Sequence, residues 1–329
     1  MDGCQGRRWG GCSMKTCTLN CTIISPMFSS GNRRAELRPS ELKGLMRYMF
    51  RAAILEPDTK ELYQLESKYF GNAEKDASPV RLQFKPPTLP ATSQKFLLHR
   101  KEEDNNRQYG FRRGTFELVI RTRHNNDKDT EEYPDIKEYE EWIALSLVLG
   151  GMGKRTRRGR GCVALDEQHS VPKEQLLNWI ADKLNKWNRK ASITNGADCG
   201  DFPYRIVDDH TIETADLNGF CRPVIEKIIL GKEIKDIDKF LGAVDRATHR
   251  IKKEFDPPEK RFATGFVGRG FPGTTRFASS VIVSVTRTAD QILLPVYTYV
   301  KAIYQKDDSF DTDYKERNTF ISFIEGGYD

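Results

Sequence analysis

The sequence predicts an α+β protein of two ferredoxin-like (RRM-like) βαββαβ domains with glycine-rich basic loops, the second domain distorted. Two observations carry this. Residues 14–170 alternate runs of period two with runs of helical period in the order β-α-β-β-α-β. The chain has 329 residues, room for a second domain at 171–329 that repeats the pattern less regularly.

The elements of the first domain follow in order. Thr16–Ile24 sets Leu19, Ile23 and Ile24 among Thr and Cys as a strand, ended by Ser25-Pro26. Ser40 is positioned to cap a helix running to about Leu55, whose stripe is Leu42, Leu45, Met46, Met49 and Phe50. A second helical piece covers Lys60–Phe70. Val80, Leu82 and Phe84 alternate until Pro86-Pro87 stops the strand, and Gly114–Arg123 places Phe116, Leu118 and Ile120 on one face. The polar stretch Thr88–Tyr109 between them reads as an insertion or a mobile loop. A helix from Asp135 to Leu149 buries Trp142, Leu145, Val148 and Leu149, and Gly161–Leu165 closes the sheet.

In the second domain, Val171–Arg189 and Ile234–Phe255 have helical spacing. Tyr204–Val207, Phe277–Val285 and Ile292–Val300 read as strands, with a hairpin turn at Thr288-Ala289-Asp290. Pro257–Gly273 reads as a loop and Thr319–Ile324 as a final strand.

Net charge is +6, from 53 Lys+Arg against 47 Asp+Glu, so any argument for a polyanionic partner rests on where the cations cluster. No apolar run approaches a membrane span and no signal-peptide core follows the N-terminus, which makes a cytoplasmic location the expectation. The seven cysteines are odd in number and irregular in spacing, unlike a secreted disulfide framework. Cys4, Cys12, Cys17 and Cys21 invite a zinc reading, but they form no C-x-x-C pair and have no His among them. No cofactor is expected. Residues 1–13, polar and glycine-rich, stand outside the fold reasoning.

The cations cluster in three places. Residues 150–161 hold five glycines and five cations in twelve positions, among them Gly151, Gly153, Lys154, Arg155, Arg157, Arg158 and Arg160. Glycines let a backbone approach a ligand closely, and neighbouring cations supply phosphate contacts. A solvated basic turn is the plainer alternative. The segment is not a nucleotide P-loop: Gly153-Lys154 is followed by Arg155, and the loop comes after a helix. Lys43, Arg47 and Arg51 then recur every four residues, a cationic ridge with no acid within it, beside a helix N-terminus of partial positive charge. An ordinary charged outer face is the alternative here. Finally, Arg269 and Arg276 sit among glycines in residues 268–279, where Phe271 could stack on a base or plug the core.

Taken together, Ile24-Ser25-Pro26-Met27-Phe28, Leu37-Arg38-Pro39-Ser40-Glu41-Leu42-Lys43-Gly44 and Arg47-Tyr48-Met49-Phe50-Arg51 resemble the start of the RAMP proteins of CRISPR systems. Gly150-Gly151-Met152-Gly153 with Arg155, Arg157, Arg158, Gly159 and Gly161, and then Arg276-Phe277-Ala278-Ser279, resemble the first-numbered RAMP subunit of the type III-B (Cmr) effector complex. The resemblance implies two ferredoxin-like domains and a non-catalytic, RNA-binding role near the 3′ end of the guide RNA. Guide (CRISPR) RNA, target RNA and other RAMP subunits would be the partners. It places Lys43, Arg47, Arg155, Arg157 and Arg158 on the family's basic positions. Ser280, where the family often has Pro, and the acid-rich Thr88–Tyr109 depart from the pattern.

The enzymatic alternative is a metal-independent, guide-processing endoribonuclease of the RAMP type, which needs a general acid or base near the scissile phosphate. None of His99, His124, His169, His210 and His249 lies in a basic segment; His249 is the least poor candidate. A metal-dependent nuclease would need converging carboxylates, and Asp208-Asp209 and Asp307-Asp308 read as turns. Residues 113–120 begin like the aromatic signature of an RRM strand but lack its aromatics, so the loops rather than a sheet face are expected to bind.

Overall fold

A computed structural model of the protein describes residues 13–31, 34–74, 77–85, 91–98, 107–124, 134–195, 202–214, 217–255, 263–271, 274–301, 303–305, 308–309 and 314–328. The first half contains β1 (Ser13–Ile23), α1 (Pro39–Ala53), α2 (Thr59–Phe70), β2 (Val80–Lys85), β3 (Gly114–His124), α3 (Ile136–Leu149) and β4 (Val163–Leu165). Its sheet has the antiparallel order β2-β3-β1-β4. Period-two alternation sends Leu19, Cys21, Ile23, Phe116, Leu118 and Ile120 to one face, which α1 and α3 cover with Leu42, Met46, Met49, Trp142 and Leu145.

The second half opens with α4 (Lys173–Asn195) and continues through β5 (Tyr204–Asp208), β6 (Thr211–Thr214), β7 (Ile225–Leu230), α5 (Ile237–Glu254), β8 (Val281–Arg287), β9 (Leu293–Val300) and α6 (Lys315–Glu325). These strands form a second antiparallel sheet, β8-β9-β7-β6-β5. It is covered on both faces, which explains the nearly unbroken apolar runs of β8 and β9. Ile282, Leu294 and Val296 join the core that contains Trp142 and Trp187, whose rings lie 4.7 Å apart. Val281, Val283, Val285, Tyr297 and Tyr299 face the opposite way, against Phe240, Leu241 and Val244 of α5 and Phe320 and Ile324 of α6. Helices α3 and α4 therefore lie between the two sheets, and α5 and α6 close the far side.

Several expectations need correction. Thr319–Ile324 is not a strand but part of α6: Phe320, Ile321 and Ile324 are buried together at helical spacing, and this period prevails over the apparent alternation. Ser40 does not cap α1. Pro39 takes the first helical position, where its fixed φ and missing N–H cost nothing, and Arg38 precedes it without a side-chain cap. Thr88–Tyr109 contains the paired arms of a short ribbon, Thr92–Lys95 and Arg107–Gly110, the latter ending one residue beyond it. Part of Pro257–Gly273 is a strand, Phe266–Phe271, paired with Thr274–Phe277. The central β7 and its neighbour β6 escaped the pattern reading altogether.

A candidate nucleic-acid interface along helix α1

The glycine-rich loop lies along α1 and across the seam between the halves. Leu45 and Tyr48 of α1 face it. A side chain on Gly150 would come within 2.8 Å of Leu45, and the Arg157 guanidinium sits 4.8 Å from the Tyr48 ring centroid. The loop's two ends close on residues 26–28: the Gly161 N–H donates to the Pro26 carbonyl at 3.0 Å and the Lys154 N–H to Phe28 at 3.1 Å. Gly161 is obligatory here. Its φ is +69°, and a β-carbon would stand 1.8 Å from the Met152 carbonyl oxygen.

Beyond this turn the loop docks on the second sheet. The Gly159 N–H donates to the Val283 carbonyl at 2.8 Å, and the Val283 N–H to Arg157 at 3.3 Å, so the loop extends the sheet past edge strand β8. This arrangement turns most of the loop's cations inward. Arg160 is 1% exposed and donates to Asp245 at 2.8 Å; Arg155 donates to the other oxygen of the same carboxylate, also at 2.8 Å. Asp245 additionally accepts the Leu98 N–H at 2.8 Å. Arg158, 7% exposed, donates to the Ser279 hydroxyl (2.9 Å) and the Thr264 carbonyl (2.7 Å). Burial, then the charges of Arg155 and Arg157, push its pKa down to about 9. Arg157 donates to the Ser279 carbonyl.

The cationic ridge is likewise engaged. Glu66 of α2, itself buried, accepts from Arg47 at 2.9 Å and from Arg51 at 2.9 and 3.1 Å. Arg47 also donates to the carbonyls of Phe70 and Gly71. The ridge has its acid, supplied by the next helix rather than its own. Lys43 donates to Ser78 and is half-buried, and burial with the neighbouring Arg47 charge lowers its pKa.

What faces outward is a narrower set. Lys154 is exposed, its ammonium 3.3 Å from Gln108. On α1 the exposed positions near the N-terminus are Ser40 and Gly44, and nothing lies within 4 Å of where a Gly44 side chain would begin. At 3.6 residues per turn this bare strip runs between the Lys43 flank and the flank of Glu41. Burial raises the Glu41 pKa, and the charges of Arg38 and Lys154 act on it from nearby.

The face of β2 and β3 turned away from α1 and α3 carries Arg81, Gln83, Lys85, Glu117, Arg121 and the buried Val119, with no aromatic among them. Arg269 and Arg276 lie on the ribbon 266–277, but their side chains, like that of Phe271, are outside the described residues. Cys4 and Cys12 are outside them too. Cys17 is half-buried and Cys21 buried, both as free thiols, and no cluster able to hold a metal occurs among the described residues. Of the described histidines, His169 binds Asp166 at 2.6 Å and faces Glu140 at 4.0 Å, while His210 and His249 are exposed. No helix among the described residues is long and apolar enough to cross a membrane.

Sequence reasoning missed the roles of Glu66, Asp245 and Ser279, whose side chains or carbonyl engage the arginines. Asp245 and Ser279 stood in segments it quoted, but not as partners of the arginines.

Residues 20–164 match the model of the RAMP superfamily. The match covers somewhat less than half of the chain. Among solved structures, the protein is similar over nearly its whole length to Cmr1 from Pyrococcus furiosus in its apo form. The TM-score is 0.54 and the identity 14%, covering 95% of this chain and 96% of that one. It is also similar to a chain of the type III-B Cmr-beta complex bound to cognate target RNA, with TM-score 0.53, 13% identity, and 94% and 99% coverage. The same complex bound to target RNA and AMPPnP in the presence of ssDNA gives 0.52 and 12%, covering 93% and 98%. At these identities the likeness concerns the fold. No curated protein sequence matches.

Proposed function

We propose that this protein is a RAMP protein, a non-catalytic RNA-binding subunit of a type III-B CRISPR effector complex, holding guide–target RNA near the guide's 3′ end beside other RAMP subunits. Two ferredoxin-like halves would form its body. In the first, the order β2-β3-β1-β4 supports that reading. The second repeats it as β8-β9-β7, with α5 after β7 and α6 after β9. There β6, contributed from before β7, occupies the edge that a strand after α6 would otherwise take.

The observation that carries the RNA reading is the bare strip of Ser40 and Gly44. A glycine in a helix interior costs about 0.5–1 kcal/mol relative to alanine, and packing does not require this one. Close approach of a ligand backbone does require it. Lys43 flanks the strip on one side and Lys154, near enough to act on Glu41, lies on the other, while the α1 N-terminus, which has no side-chain cap, adds its partial positive charge; these features favour phosphates. This shifts the expected contacts from Arg155, Arg157, Arg158 and Arg160, which build the loop, to Lys43, Lys154 and the strip between them.

The test is a salt-titrated binding assay with a guide–target RNA duplex, comparing the wild-type chain with Lys43→Gln/Lys154→Gln and checking RNA integrity on a gel. Loss of two phosphate contacts makes the salt slope shallower by about 1.4–1.8 and weakens binding, with the RNA intact. Unchanged affinity would remove the α1 strip from the interface. Cut RNA would put the endoribonuclease reading first.

A further inference from the structure

We propose a second RNA-backbone surface on α5, formed by Arg246, His249, Arg250 and Lys253; it rests on the RNA-binding reading above but uses none of the same residues. The four positions follow i, i+3, i+4, i+7 and therefore share one face of the helix. Arg246, His249, Arg250 and Lys253 are all exposed, and together they line an open groove.

The acids of α5 are mostly elsewhere. Asp245 is buried with Arg155 and Arg160, Asp238 pairs with Arg112 at 2.6 Å, and only Glu254, one turn beyond Arg250, flanks the stripe. Complementing the helix dipole would account for Lys253 in the last turn, but not for Arg246 in the middle of the helix.

Two contacts, one with α6 and one with the residues that follow it, make the surface preorganised. Arg246 donates to the Gly327 carbonyl at 2.9 Å, and the Arg250 guanidinium lies 3.6 Å from the centroid of the half-buried Phe323 ring. Stacking on Phe323 holds that guanidinium plane in place, and a guanidinium plane is a platform for an unpaired base as well as a phosphate ligand. Arg246 and Arg250, like His249 and Lys253, are one turn apart, about 6 Å along the axis, a spacing suited to successive backbone phosphates. The ligand chemistry indicated is single-stranded RNA.

The experiment uses the full chain, single-stranded RNA carrying a photoreactive base, and polyglutamate as an acidic-peptide probe. Three variants are compared with wild type: Arg250→Gln/Lys253→Gln, Arg250→Lys and Lys43→Gln/Lys154→Gln. The first should bind RNA more weakly, with a salt slope shallower by about 1.4 and an unchanged melting temperature. Arg250→Lys should keep the slope and lose the crosslink to residues 246–253. An unchanged affinity and slope in Arg250→Gln/Lys253→Gln overturns the proposal, as does loss of polyglutamate binding with RNA binding intact, which would make the stripe a contact for an acidic protein. If Lys43→Gln/Lys154→Gln binds normally while the stripe variant does not, the α1 interface fails and the α5 surface stands. No RNA binding by wild type overturns both.

Discussion

At the scale of single residues, arginine identity alone does not reveal what an arginine faces. Arg155 and Arg160 read from sequence as phosphate ligands, yet both close on Asp245, a residue 85 to 90 positions away that no local pattern connects to them. The physical reason is that a guanidinium meets a carboxylate and a phosphate with the same bidentate geometry. The glycines of the same loop were legible because their requirement is local, as the positive φ of Gly161 shows. Asp245→Asn should leave the buried Arg160 charge uncompensated and destabilise the protein by about 3–5 kcal/mol, measured by denaturant unfolding. The loss should exceed that of any single substitution on the exposed α5 stripe.

At the scale of elements, long periodic segments were readable and special positions were not. Helix α3 was legible from its stripe, and the structure adds its cap: the Asp135 carboxylate accepts the Lys137 N–H at 3.1 Å and pairs with Lys15 at 2.8 Å. The bond from Lys15, then that from the Lys137 N–H, lowers the Asp135 pKa. Because the folded-state pKa is depressed, this stabilisation is present above the ordinary carboxylate range and is lost as pH falls through the lowered value. Asp135→Ala should cost about 0.5–2 kcal/mol near neutral pH, a difference that shrinks in acid, as thermal melts across pH would show.

The α6 segment was misread because six residues support either period, and only the packing of Phe320 and Ile324 on β8 and β9 decides between them. Gly44 makes the opposite point, since its neighbours leave it free. Gly44→Ala should stabilise the chain by about 0.5–1 kcal/mol. The bulkier Gly44→Gln should preserve the melting temperature and weaken RNA binding. Equal binding by wild type and Gly44→Gln would argue against close approach at the strip.

At the scale of the whole molecule, the order of the first sheet could be read from sequence because its strands and helices alternate with clear periods. The layering of the two halves could not. It depends on α3 facing two sheets at once, which is why the C-terminal half of this helix is apolar nearly all round, with residues 142–147 buried in succession. The seam is then sealed by polar groups: the Gly159 N–H on Val283, two arginines on Asp245, and Arg157 and Arg158 on Ser279.

That seam bears on any attempt to map the proposed RNA site by truncation. A fragment ending near residue 170 keeps Arg155, Arg157, Arg158 and Arg160 but loses Asp245 and Ser279, releasing four cations that the intact chain keeps engaged. Such a fragment should retain nucleic acid through purification and bind it more avidly than the full chain. Its apparent footprint would be an artefact of the cut.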